Sequence, residues 1–204
     1  MIEHTWSCSD DAVRQVVGLC ETARRPGVLV LRFTRAEAGP ALSWSALEGW
    51  VQSRSVTVAD IACSLPSPAL EVALCCDLAY LRPGALLELA TAQHEAAAGV
   101  VWALGRAGRA ALRRGLLMGG PIEAKEAVSL GLAAGEIAAE SEIPLPERHS
   151  LEALTTARDL LRADHGEGGG GALELAAFRL LFATGEPAEG ARAFLEDRPP
   201  RFLE

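Results

Sequence analysis

Apolar residues cluster along the chain in short blocks separated by punctuation, and the blocks carry two periods. Ser9, Asp10 and Asp11 supply capping oxygens and negative charge before a helix whose apolar positions Val13, Val16, Val17 and Cys20 recur at i, i+3, i+4 and i+7. Pro26-Gly27 ends it, and VLVLRF, Val28 to Phe33, is a β-branched and apolar run typical of a strand covered on both faces. Residues 34 to 43 hold Gly39 and Pro40 and predict a loop, followed by a helix with Leu47, Trp50 and Val51 on one face. VTVADIAC, Val56 to Cys63, predicts the next strand. Directly after it, SLPSPALEVALCCD, Ser64 to Asp77, predicts a capped helix with one acid, Glu71, among Ala, Leu and Val.

Strand, turn and helix thus alternate as in α/β folds. A short LAYL segment, a Pro83-Gly84 turn and LLEL, Leu86 to Leu89, come next. From Thr91 the pattern is mainly helical, with helices near 92 to 104, 106 to 117 and 123 to 130, the last punctuated by Pro121 and Gly131. An acidic, Pro-containing connection covers 139 to 149, and a helix runs from about Leu151 to Ala163. HGEGGGG, His165 to Gly171, then predicts a flexible linker. A phosphate cradle there lacks both a preceding strand and a closing GK[ST]. Helices from Ala172 to Thr184 and from Pro187 to Leu195 complete the chain, which divides into a core at 1–138 and a helical region at 139–204.

Bulk composition narrows the function classes. With 204 residues, half of them apolar, the chain is long enough to bury a substantial core. No apolar run approaches the ~18 residues that cross a membrane, and the acidic, polar start lacks the basic head and apolar middle of a signal peptide, so a cytoplasmic protein with no membrane partner is expected. A net charge of −8 argues against nucleic acid as a partner. The five cysteines show neither CxxC pairs nor histidines at metal spacing, which predicts buried thiols and no metal site.

Three segments resemble the crotonase superfamily, the relatives of enoyl-CoA hydratase and isomerase. PALEVALCCDLAY resembles that family's GGG-x-ELA-x-x-CD stretch; LLMGGPIEAKEAVSLGLAAGEI and LFATGEPAEGARAFLEDRPPRF resemble two later segments, in the family's order. The resemblance implies an α/β fold, a crotonase-like spiral core of stacked β-β-α turns with a helical C-terminal region, assembled as trimers or hexamers. It implies acyl-thioester chemistry without a further cofactor: two backbone N–H groups hold the thioester oxygen as it becomes an enolate, and glutamates move protons.

Carried onto this chain, the resemblance places the first catalytic glutamate at Glu71 and the second at Thr91, where no carboxylate stands. His94 and Glu95, one helical turn away, are the substitutes in reach, and an exposed helix face explains them equally well. Ser67-Pro68-Ala69 replaces Gly-Gly-Gly, so Pro68 sits at the position of an oxyanion donor and has no N–H to give. Ser67 suits the N-cap and Pro68 the first helical position, which leaves the N–H groups of Ala69 and Leu70 available; Ala69 becomes the donor after a one-residue adjustment. The second donor falls among Ala38 to Leu42, with Ala41 as the candidate. Because so few residues precede the first predicted helix, the family's long first hairpin, which helps hold coenzyme A, is not expected here.

Within the superfamily, the short chain with PALEV is most similar to the small dehydratase-like accessory proteins of dihydroxyphenylglycine assembly, which serve a type III polyketide synthase. Two functions follow from the resemblance. One is a hydratase, run as a dehydratase, on a CoA-bound or carrier-bound polyketide or other secondary-metabolite intermediate. The other is a catalytically silent subunit that binds a partner enzyme in a hetero-oligomer. A hydrolase using Ser64 or Ser67 lacks the GxSxG elbow.

Overall fold

The computed structural model describes residues 1–6, 11–89, 120–145, 150–163 and 170–202. They form two compact units, Met1–Ile143 and Pro144–Glu204. The first is built on a sheet of five parallel strands in the order β1-β2-β3-β4-β7: β1 Ile2–Thr5, β2 Val28–Phe33, β3 Val56–Ile61, β4 Leu78–Leu81 and β7 Gly135–Glu136. A small antiparallel pair, β5 Leu86–Leu87 and β6 Ile122–Glu123, lies outside it. Helices α1 Ala12–Thr22, α2 Trp44–Val51, α3 Ala69–Leu74 and α4 Ala124–Ser129 complete the unit among the described residues. Strands alternating with helices and pairing in parallel are what the two apolar runs predict, and every residue of β3 is buried.

Because side chains alternate across a strand, the register decides what meets on each face. Leu29 lies beside Thr57, Leu31 beside Ala59 and Phe33 beside Ile61; their apolar members join Val16, Leu19, Leu47 and Trp50 in the main core. The alternate positions put Arg32 beside Asp60. Asp60, only 3% exposed, accepts from Arg82 Nε at 2.7 Å and Nη2 at 3.1 Å, and from Arg32 Nη1 at 3.0 Å. Arg32 continues to Glu3 on β1, while Arg82 Nη1 donates to the carbonyls of Ala138, Ala139 and Ser141. The Asp60 carboxylate beside Arg82 holds its guanidinium above the ordinary arginine range. One buried acid therefore links β1, β2, β3, the end of β4 and the segment after β7.

Several elements differ from the pattern-based expectation, each for a physical reason. In α1 the buried residues are Val16 and Leu19, with Ala23 just beyond, whereas Val13 and Val17 are half exposed. The helix is turned so that its smaller stripe faces the sheet, and it crosses α2 where a Cβ on Gly49 would stand 3.3 Å from Cys20 Sγ. Strand β3 ends at Ile61 rather than Cys63, and LLEL pairs only over Leu86–Leu87. Pro121 precedes β6, and Glu123 is the N-cap of α4. Gly131 does close that helix: at φ 72° it lets its own N–H reach Val128 O at 3.0 Å and that of Leu132 reach Ala127 O at 2.9 Å.

The second unit contains α5 Leu151–Ala163, α6 Gly170–Phe182 and α7 Glu186–Leu195. Two of the five glycines assigned to a linker, Gly170 and Gly171, are instead the first residues of α6; the rest of that stretch lies outside the described residues. Ser150 accepts from the N–H of Ala153 at 3.0 Å and donates to Glu186, pinning the start of α5 to α7. Arg198 and the Arg201 N–H hold the Glu189 carboxyl at about 2, so this pair's contribution is present above the ordinary carboxylate range and fades as pH falls toward 2. Among the described residues no helix is long and apolar enough to cross a membrane.

Removing Asp60 would leave Arg82, itself only 13% exposed, without its bidentate partner. Asp60→Ala is expected to lower unfolding stability by about 3 kcal/mol. Urea denaturation of the full chain reads this directly, and a change under about 0.5 kcal/mol, the range of ordinary surface substitutions, contradicts the assigned role.

Candidate functional site

Two loops leave the carboxyl ends of adjacent parallel strands, which is where open parallel sheets present ligand sites. Residues 34–43 run from β2 to α2, and residues 62–68 run from β3 to α3. The first loop bonds both to the second loop and to the helix that follows it. The Gly39 N–H donates to the carbonyl of Ser67 at 2.8 Å, and the Leu42 N–H donates to Glu71 Oε1 at 3.1 Å. Gly39 also lies against the proline ring, since a Cβ there would be 3.4 Å from Pro68 Cδ.

Glu71 has no exposed surface and sits in the first turn of α3, all six of whose residues are buried. Two influences oppose each other on such a group: removal from water favours the neutral acid, while a donated N–H and a helix start favour the anion. Leu42 is equally enclosed at 3% exposure. The position of α3 is fixed from both sides. Trp50 of α2 donates its indole N–H to the Val72 carbonyl at 3.2 Å. Just past the helix, Asp77 accepts from both the N–H and the hydroxyl of Thr57 at 2.8 and 2.9 Å, and its own N–H returns to Thr57.

The cap of α3 differs from the expected one. Pro68, not Ser67, is the N-cap; its carbonyl accepts from Glu71 N at 3.1 Å and Val72 N at 3.3 Å, and Ala69 is the first helical residue. The Leu70 N–H, expected to be available, donates to Pro66 O at 3.0 Å because the turn before the helix curls back on itself. Ala69 is buried, directly before that engaged residue. Ala41 is partly buried against the core, and the neighbour that reaches Glu71 is Leu42. Thr91, His94 and Glu95 lie outside the described residues.

Sequence reasoning placed Glu71 in an apolar helical turn and bracketed the loop that faces it. It missed Trp50 and Thr57 as supports. A tryptophan on the inward face of a helix is one available signal, because a buried indole N–H needs an acceptor. At the other end of α3 a cavity of about 200 Å³ is lined by Ala73, Cys76, Asp77, Leu78 and the backbone around Leu132; Glu71 is not among its walls.

No protein-family model and no curated protein sequence matches the chain. Solved structures do. An enoyl-CoA hydratase/isomerase family protein from Hyphomonas neptunium superposes with a TM-score of 0.79 at 20% identity, covering 98% of this chain and 93% of its own. An enoyl-CoA hydratase from Mycobacterium smegmatis gives 0.77 at 16% identity, with 98% and 94% covered, and a subunit from Geobacillus kaustophilus gives 0.75 at 22%, with 97% and 89% covered. The chain has the crotonase fold. Nearly whole-length superposition places the parallel sheet and the helical C-terminal region within that fold. In this version of the crotonase fold, the loop after β2 is tied to the loop after β3 through Ser67 and to α3 through Glu71.

Replacing Trp50 by Phe removes the donor to Val72 while keeping an aromatic ring. The expected cost is about 2 kcal/mol, from lost volume and from a buried carbonyl that loses its indole donor and keeps the weaker Cys76 thiol. Chemical denaturation measures it, and an unchanged midpoint contradicts the role of the indole in holding α3.

Proposed function

We propose that the chain acts on acyl thioesters as a hydratase or dehydratase, with Glu71 as its proton carrier. The observation that carries this reading is a completely buried carboxylate at the carboxyl end of a parallel sheet, held by one backbone N–H from the facing loop. In the dehydration direction, a 3-hydroxyacyl thioester loses the C2 proton to the carboxylate. The C3 hydroxyl departs as water with a returned proton, and a 2,3-double bond remains. Backbone N–H groups near Ala69 and Ala41 would stabilise the enolate oxygen, and the thioester is substrate rather than cofactor. Similarity of PALEV and of the short chain to the dihydroxyphenylglycine accessory proteins supports a polyketide or other secondary-metabolite intermediate, bound to CoA or a carrier, in a homotrimer or hexamer.

A second reading, a silent subunit that assists a partner enzyme in a hetero-oligomer, draws support from the donors. Pro40 and Pro68 have no N–H, that of Gly39 is taken by Ser67, and that of Leu42 by Glu71 itself.

Turnover of 3-hydroxyacyl and enoyl thioesters by the pure protein and by Glu71→Gln separates the two. The enzyme reading expects at least a ~100-fold drop in kcat for the variant. Equal turnover removes Glu71 from the mechanism. Absence of turnover, with stable co-elution with a polyketide synthase that is unchanged in Glu71→Gln, establishes the second reading instead.

A further inference from the structure

We propose that strand β1 is the joining edge of a two-fold dimer, in which β1 of a second copy of this chain lies antiparallel along it with the axis passing at His4. The pairing is independent of the chemistry at Glu71.

The order β1-β2-β3-β4-β7 leaves β1 at one margin of the sheet, and among the described residues no strand pairs with its outer side. All of its residues are exposed. The Trp6 N–H donates to the Arg32 carbonyl at 2.9 Å, so in a parallel ladder Ile2 and His4 also turn their main-chain groups to β2, while Glu3 and Thr5 turn theirs outward. Such an edge is ordinarily guarded by a lysine, a proline or a bulge. Here the one acid, Glu3, is drawn sideways onto Arg32 by bonds of 3.2 and 3.3 Å, and no lysine or proline stands in the strand. What remains is a row of main-chain donors and acceptors, the surface that strand addition uses.

The chain's own copy fits that row in one register. A two-fold axis normal to the sheet keeps every side chain on its face, so facing residues must both be odd or both be even in number. Centring on Glu3 sets two carboxylates opposite each other, which is unfavourable. Centring on Thr5 carries Glu3 past the end of the facing strand and leaves its main-chain groups unused. With the axis at His4, Glu3 of each copy faces Thr5 of the other. These two residues exchange both N–H···O bonds, so every outward group of both strands is used.

Strand pairing over 4 residues is marginal alone, and helix α1 supplies the rest. It connects β1 to β2 and packs beside α2, where a Cβ on Gly49 would stand 3.3 Å from Cys20 Sγ. Along the helical repeat, Gly18 and Thr22 lie on the other side of the buried Val16 and Leu19 from Cys20, toward the β1 margin. That flank is small and open: a Cβ on Gly18 would meet nothing within 4 Å, and the Thr22 hydroxyl donates back to the Gly18 carbonyl at 3.0 Å. Because α1 sits over β1 and β2, the two-fold brings the two α1 helices to about 10 Å apart, twice the strand spacing, which is a packing distance for helices. Crossing antiparallel near Gly18, they set the exposed Arg14 of one copy beside the exposed Glu21 of the other, so opposite charges meet at the rim.

Oxidative cross-linking of the full chain tests the register. Residues facing each other in a non-hydrogen-bonded pair stand about 4.5 Å apart at Cα, a span that a disulfide bridges, so His4→Cys is expected to yield a covalent dimer on a non-reducing gel. Ile2→Cys, whose counterpart lies roughly 13 Å away, is expected to behave as the wild type with its native cysteines. Linkage of neither variant, or of both alike, overturns the register and with it the proposal. Sedimentation equilibrium then tests the interface itself. Thr5→Pro removes an outward N–H while leaving the bonds to β2 in place, and Gly18→Arg sets like charges across the α1 flank; each is expected to halve the mass of the wild-type particle. Gly18→Arg serves if the proline variant folds poorly. An unchanged mass in the folded variants, or a wild-type particle with an odd number of chains, overturns the dimer.

Discussion

A carboxylate with no exposed surface is tolerated only where something replaces its water, and in this chain the Leu42 N–H is one such partner of Glu71. That bond sets more than the state of one side chain. Together with the Gly39 to Ser67 bond it holds the loop after β2 against the start of α3 at the sheet's carboxyl end. Everything beneath it is braced: Trp50 holds the carbonyl of Val72 from one side and Thr57 clasps Asp77 from the other. The buried carboxylate thus stands on a braced helix, an arrangement suited to a proton carrier.

The opposite face of the sheet shows the same economy with charge. Asp60 is buried beneath two arginines, and the network extends outward to Glu3 and to three carbonyls near residue 140. Removing one member of such a group leaves the others without partners, which is why a single side chain can hold several strands together. Ion pairing there serves assembly of the sheet, whereas Glu71 at the carboxyl end accepts from a backbone N–H.

How much of this was legible in the sequence depended on whether a residue's role left a local mark. VLVLRF and VTVADI announced themselves because buried parallel strands need continuous apolar runs. Strand β1 left no such mark: Ile2, Glu3, His4 and Thr5 are all exposed, and the strand is held by backbone pairing with β2 and by Trp6, whose N–H reaches Arg32 O at 2.9 Å and whose ring meets Phe33. The two-residue strands β6 and β7 are too short to carry a period. Glu71 stood out as an acid among apolar neighbours. Leu42 did not, because its contribution is a backbone N–H that any residue but proline provides. The cap of α3 shifted by one residue for a similar reason, since backbone carbonyls of Pro66 and Pro68 do work that a serine side chain was expected to do.

The central claim is that Glu71, buried at the carboxyl end of the sheet, carries the proton for an acyl thioester. A crystal structure of the protein with a non-reactive acyl-CoA analogue addresses it most directly. The account predicts the analogue's C2 and C3 atoms beside the Glu71 carboxylate. An analogue bound with those carbons out of reach of Glu71 would contradict it.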